Sequence, residues 1–164
     1  VREPSDYSAE FAGRLASLGI DAALIGALAA IEYRADPRQT TDVDFLVDRL
    51  DGLVDSVTAD GYDARTVSDP GGEIYAVFIQ GLGAQVDVLR AETPYQLEAL
   101  RRAVGGVITV EDVIVHKLLA WRARDRDDIR SILVAGHDLD EPYIAHWAGE
   151  WQVPDRWAEA RLLI

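Results

Sequence analysis

The sequence contains no cysteine and no methionine, and only one of its sixteen basic residues is a lysine. Without cysteine there is no disulfide, no thiolate metal ligand and no cysteine nucleophile, so stability must come from packing. Positive charge is scarce as well. Twenty-nine acidic residues against sixteen basic ones give a formal net charge of -13. Such a surface repels phosphate backbones and argues against broad, sequence-independent binding to nucleic acid. Long apolar runs are missing: nothing approaches the roughly 18 uninterrupted apolar residues of a membrane span, and the N-terminus lacks the basic-then-apolar pattern of a signal peptide. The expectation is a cytoplasmic protein with no membrane partner.

Apolar residues make up 49% of the 164 positions, enough for one domain with a real core and too little for two full-sized ones. Residues 22 to 25 (AALI) form a short apolar run that ends at Gly26, and helix-compatible residues follow to Tyr33 before Asp36-Pro37 interrupts them. Strand, tight turn and short helix are expected there. In the segment TDVDFLV, residues 41 to 47, Val43, Phe45 and Val47 alternate with Asp42 and Asp44, which predicts a strand with both carboxylates on one face. Residues 50 to 59 read as helix. The turn Asp69-Pro70-Gly71-Gly72 leads to a strand over 74 to 79, and Gly81 to Gly83 turn the chain into a return strand over 84 to 89 that carries Asp87. Beyond Pro94 the pattern is helical, apart from a short strand candidate near 106 to 108. Thr109, with Asp112 three residues on, opens a helix carrying Val113, Ile114, Leu118 and Trp121. Further helices are expected over 126 to 134, 141 to 151 and 155 to 163. This gives an α+β fold with a sheet core in residues 1–92 and a helical part in residues 93–164 packed on it as a single unit.

Asp42 and Asp44 lie side by side because strand side chains alternate with period two. Two anions held that close call for a cation, and hard oxygen ligands suit Mg²⁺, which also binds substrate phosphates. Asp87 is the only charged residue between Glu73 and Arg90. Its strand, paired beside that of Asp42 and Asp44, would complete a three-carboxylate cluster; the alternative is a carboxylate that merely faces solvent. Gly26-Ala27, at a strand-to-helix turn, is placed where backbone N–H groups can hold phosphate oxygens, or is an ordinary turn.

Lys117 falls on the apolar stripe of Val113, Ile114 and Trp121 rather than on the polar face of its helix. It is either a snorkelling lysine covering apolar surface or a compact ammonium reserved for phosphate or a carboxylate, and the second reading is preferred. Arg101, Arg102, Arg122, Arg124, Arg126 and Arg130 could form a basic patch, but the interleaved Asp125, Asp127 and Asp128 favour a solvated face with internal ion pairs. His116 and His137 read as surface or cap residues. The four tryptophans read as core, with Trp147, Trp151 and Trp157 packing the C-terminal helices.

The segment IGALAAIEYRADPRQTTDVDFLVD, with the later QVDVL, resembles the nucleotidyltransferase superfamily signature: glycine and a small residue, a short helix, D-x-D on a strand and a third aspartate on a later strand. VEDVIVHKLLAWRARDRDDIRSIL resembles the helical motif of AbiEii-type and related minimal bacterial nucleotidyltransferases. The matches agree in order and spacing over roughly residues 22 to 134. The resemblance implies a polymerase-β-like fold, a small mixed β-sheet with a helical C-terminal half. It implies that Asp42, Asp44 and Asp87 are catalytic and hold Mg²⁺ or Mn²⁺, with Lys117 a further catalytic residue. The implied nucleotide-binding set is Gly26, Ala27, Arg38, Thr41, Lys117, Asp125 and Asp128. The implied reaction moves a nucleoside monophosphate from an NTP to an acceptor that stays open among an RNA 3′ end, a protein and a small molecule, in a toxin-like setting that can include a partner protein. Ala27 departs from the glycine or serine of many relatives and restricts the turn. The competing expectation is a catalytically idle module of the same fold that binds nucleotide or regulates a partner.

Overall fold

A computed structural model describes residues 2–164 and places along them α1 (Pro4–Ser17), β1 (Ala22–Ile25), α2 (Gly26–Ile31), β2 (Val43–Val47), α3 (Leu53–Ala59), β3 (Asp63–Ser68), β4 (Ile74–Gly81), β5 (Ala84–Arg90), α4 (Pro94–Arg102), α5 (Val110–Ala120), α6 (Ala123–Ala135), α7 (Glu141–Glu150) and α8 (Pro154–Ala160). Contacts divide the chain into two compact units. The first takes the N-terminal stretch as far as Leu28 together with Thr40–Ile108, and the second takes Ala29–Gln39 and Thr109–Ile164. The sequence reading put a division at residue 92/93 instead. Two interactions shift it: α4 packs on β2, and Val107 bridges to Leu24 of β1, which keeps residues 93–108 with the sheet. Conversely, the backbone N–H groups of Ala35 and Asp36 donate to Ser131 Oγ, which ties the loop after α2 to α6.

In the first unit a five-stranded mixed sheet runs in the order β1-β2-β5-β4-β3. Only the central β2·β5 pair is parallel; β1·β2, β4·β5 and β3·β4 are antiparallel. The alternation read from the sequence buries Val43, Phe45 and Val47 of β2 with Val86 and Val88 of β5. Each such side chain contributes about 1.5–3 kcal/mol relative to exposure. β4 and β5 are joined by Leu82-Gly83, both at positive φ (50° and 85°), the two-residue geometry whose twist matches the strands. A Cβ on Gly83 would lie 2.6 Å from the Tyr7 hydroxyl, and that hydroxyl donates to the Leu82 carbonyl at 2.9 Å.

Two elements of this unit lay outside the sequence expectations. α1 buries Tyr7, Phe11 and Leu15, spaced i, i+4, i+8, and packs on β1, β2 and β5. β3 is an edge strand with no buried residue. Elsewhere the differences are small: Asp42 lies just before β2, and residues 104–108 form only isolated bridges.

In the second unit α5 packs on α6 and α7, and α8 packs on α6 and α7. The Thr109 hydroxyl accepts from the Asp112 N–H at 3.3 Å, capping α5 as the spacing predicts. The core holds Val113, Ile114, Leu118, Ile129, Ile132, Ile144 and Trp157. Of the four tryptophans only Trp157 is buried. Trp151, at the end of α7, is exposed, and Trp121 and Trp147 are intermediate. The arginines of α6 and its cap are largely paired: Arg122 with Asp125, Arg126 with Glu159 and Arg130 with Asp127. Among the described residues no helix is long and apolar enough to cross a membrane.

Candidate active site

β2 and β5 bring the aspartates of the first unit together. Asp44 and Asp87 are register partners across the parallel pair, so their side chains project from the same face of strands whose backbones run about 4.8 Å apart. Asp42 lies two residues before Asp44, just outside β2, and its charge reaches Asp87. All three are partly exposed. Burial, followed by the nearby charge of Asp42, pushes the Asp87 carboxyl above its ordinary range, and Arg65 opposes the shift. The influence of Asp42 on Asp87 places two carboxylates within electrostatic reach in a partly desolvated setting. Thr41 Oγ1 donates to Asp42 Oδ1 at 3.2 Å, and the Asp42 N–H donates to Thr40 Oγ1 at 3.3 Å, which steadies the chain entering β2.

Gly26 follows β1 directly, and Ile25 pairs with Asp44. Gly26 has φ +69°, and a Cβ there would lie 2.9 Å from Asp44 Cγ and closer still to one carboxylate oxygen. Glycine is required twice over, by the left-handed backbone and by the approach of that carboxylate. Ala27 is buried at the start of the six-residue helix α2.

The second unit carries its own cluster. Asp128, fully buried, accepts from Arg34 Nη1 at 2.6 Å, Arg38 Nη1 at 2.5 Å and Lys117 Nζ at 2.8 Å. Asp125, also fully buried, accepts from Lys117 Nζ at 3.2 Å, the Arg122 N–H at 3.0 Å and Arg122 Nε at 2.7 Å. Burial pushes the Asp125 carboxyl up, but the hydrogen bonds from Arg122 and the charge of Lys117 outweigh it and hold it below the usual range. The snorkelling alternative for Lys117 is excluded by its 5% exposure: the ammonium is held between two buried carboxylates, not in water. Nearby on α5, His116 is half-buried. Burial, then the Lys117 charge, pushes it down to about 4, so it is neutral at physiological pH. His137 is exposed just past the Gly136 cap of α6, with Nε2 2.6 Å from the Tyr33 carbonyl.

Sequence reasoning passed over two groups. Arg34 pairs with Asp36, Asp127 and Asp128 together, and its place in the segment YRADPR offered no periodicity that marks a buried arginine. Arg65 and Phe78 share the aspartate face: the registers align Ile25, Asp44, Asp87, Phe78 and Arg65 in one row across all five strands. That row becomes visible only once β3 is known to be a strand.

The carboxylate set has the hard-oxygen chemistry that a divalent cation of the Mg²⁺ kind prefers. As the side chains stand, no group of three or more His, Cys, Asp or Glu among the described residues could hold a metal ion, so no coordination geometry follows from them.

No family model and no curated protein matches the chain. Among solved structures it is similar to the crystal structure of an antigenic nucleotidyltransferase-like protein from Paracoccidioides brasiliensis, with a TM-score of 0.50 and 21% identity over 81% of this chain and 75% of the other. The α+β architecture, with its five-stranded mixed sheet, is therefore a nucleotidyltransferase-like fold.

Proposed function

We propose that the chain is a metal-dependent nucleotidyltransferase of the AbiEii-like, minimal bacterial kind, moving a nucleoside monophosphate from an NTP to an acceptor in a toxin-like setting. The single observation that carries this reading is the register pairing of Asp44 with Asp87 on adjacent parallel strands, with the charge of Asp42 acting on Asp87. In the proposed reaction an acceptor hydroxyl oxygen attacks the α-phosphorus. A new P–O bond forms, the bond to the bridging oxygen of the β-phosphate breaks, and pyrophosphate leaves. Asp42, Asp44 and Asp87 would hold Mg²⁺ or Mn²⁺, which when bound supplies charge stabilisation to the attacking and leaving oxygens. Asp87, on the strand beside that of Asp44, is the carboxylate that would accept the hydroxyl proton. The Gly26-Ala27 backbone and Thr41 would meet phosphate oxygens, whereas Arg38, Lys117, Asp125 and Asp128 pair with one another inside the second unit and are suited to holding it together.

The test is thermal stability with Mg²⁺ or Mn²⁺ plus NTP at millimolar concentration. Ligand at a hundred times its Kd adds about 2.7 kcal/mol, a rise in Tm of several degrees for a domain of this size. Asp44→Asn should lose the rise. A second reading, a catalytically idle module, draws on the absence of a ready three-ligand metal group among the described residues. It forecasts nucleotide binding indifferent to metal, or none, and a wild-type protein that gains no stability from metal with NTP would favour it.

A further inference from the structure

We propose that Arg65, stacked on Phe78 in line with Asp87, is an anion handle for the acceptor, which therefore carries a phosphate close to its reacting hydroxyl.

Arg65 is an exposed residue of the edge strand β3, and its Cζ lies 4.5 Å from the centroid of the Phe78 ring. Phe78 is the register partner of both Arg65 and Asp87. The Arg65 backbone thus lies two strands from that of Asp87, about 10 Å across the sheet by strand spacing, while its guanidinium lies over Phe78 between them and its charge acts on Asp87. Most arginines of this acidic chain are bound to carboxylates, as Arg14, Arg34, Arg38, Arg90 and Arg122 are. The Arg65 side chain makes no ion pair or hydrogen bond among the described residues, although acidic side chains outnumber basic ones by 29 to 16. The ring covers one face of the guanidinium and leaves its N–H edges free, the arrangement that takes a phosphate by two parallel hydrogen bonds. Arginine extended from β3 covers part of the gap to Asp87, and a sugar-sized spacer between phosphate and hydroxyl covers the rest. A neutral acceptor would leave this cation with nothing to do. An NTP already engaged at Gly26 would have its phosphates on the β1 side of the aspartates, the side away from β3.

The acceptor role rests on the nucleotide-transfer reading; the anion contact does not, and two measurements separate them. The first is an NMR titration of the full chain with inorganic phosphate, reading the Arg65 side chain and the β3 and β4 amides, with phosphate-free adenosine as the control. Phosphate should shift these signals and adenosine should not. Arg65→Gln should abolish the response, and Asp87→Asn should retain or strengthen it by removing a nearby negative charge. Unmoved Arg65 signals, or an equal response in Arg65→Gln, overturn the proposal whatever the enzyme does. The second applies when the wild type labels an acceptor from NTP in cell extract. Arg65→Gln should then lower acceptor labelling about tenfold or more, the scale of one lost charge-assisted contact, while keeping the full stabilisation by metal and NTP. Unchanged labelling, or an equal loss of NTP stabilisation, removes Arg65 from the acceptor side. A wild type that labels nothing defeats the transferase reading, and the phosphate titration still decides for or against the anion site.

Discussion

Asp87 is held at a cost. Its carboxyl is partly desolvated and lies beside the charge of Asp42, which together raise it above the ordinary value of 3.8. A carboxyl raised in the folded state contributes stability that is full below its unfolded value and is lost as pH rises through the folded one. At neutral pH Asp87 therefore weakens the fold. Asp87→Asn should raise stability at pH 7, measured as a higher urea midpoint. The gain should fade as pH falls through the carboxylate range and the wild-type carboxyl takes up its proton. Saturating Mg²⁺ should erase the gain at pH 7, because a bound cation reverses the electrostatic sign for the wild type alone. Equal midpoints for the two proteins at pH 7 without metal would show that the carboxylate carries no strain. Asp42 and Asp44 could be read from a period-two pattern alone, whereas their relation to Asp87 is a matter of register, which no local pattern contains.

Elements differ in how plainly they declare themselves. β2 and the β4–β5 hairpin were legible because apolar alternation and a glycine-bearing turn are local signals, and α5 was legible from its Thr109 cap. β3 was not: Asp63, Arg65, Thr66 and Ser68 leave an edge strand with no buried side chain to set a period. α1 did carry an amphipathic stripe, Tyr7, Phe11 and Leu15, but neither a D-x-D nor a glycine turn drew the reading to it. Lys117 shows a different limit. Its odd position on α5 was visible, yet its partners on α6 were not, because two buried aspartates near one arginine-rich stretch look from sequence like a solvated face. The ammonium joins α5 to α6 through Asp125 and Asp128. Removing one partner of a buried pair costs roughly 3–5 kcal/mol, moderated here because Arg34 and Arg38 remain on Asp128 and Arg122 on Asp125. Lys117→Met should therefore destabilise the fold by about 2 kcal/mol or more, read from denaturant midpoints. A variant as stable as wild type would show that the lysine contributes nothing to holding the two helices.

At the scale of the whole molecule, two kinds of charge arrangement coexist in a chain of net charge -13. The helical unit neutralises the buried Asp125 and Asp128 with Lys117, Arg34, Arg38 and Arg122. On the sheet, Asp42 and Asp87 face one another's charge with only Arg65 opposing it. Under the proposed function, the carboxylates left beside one another on the sheet are the ones that would receive a cation. The most direct test of nucleotide transfer is incubation of the full chain with Mg²⁺ or Mn²⁺, cell extract and each NTP labelled in turn at the α- or the γ-phosphate. The account forecasts that one acceptor species gains the α-label but not the γ-label, and that Asp87→Asn, though folded, transfers neither. Labelling by the γ-phosphate, equal labelling by Asp87→Asn, or no labelling with any NTP would contradict it.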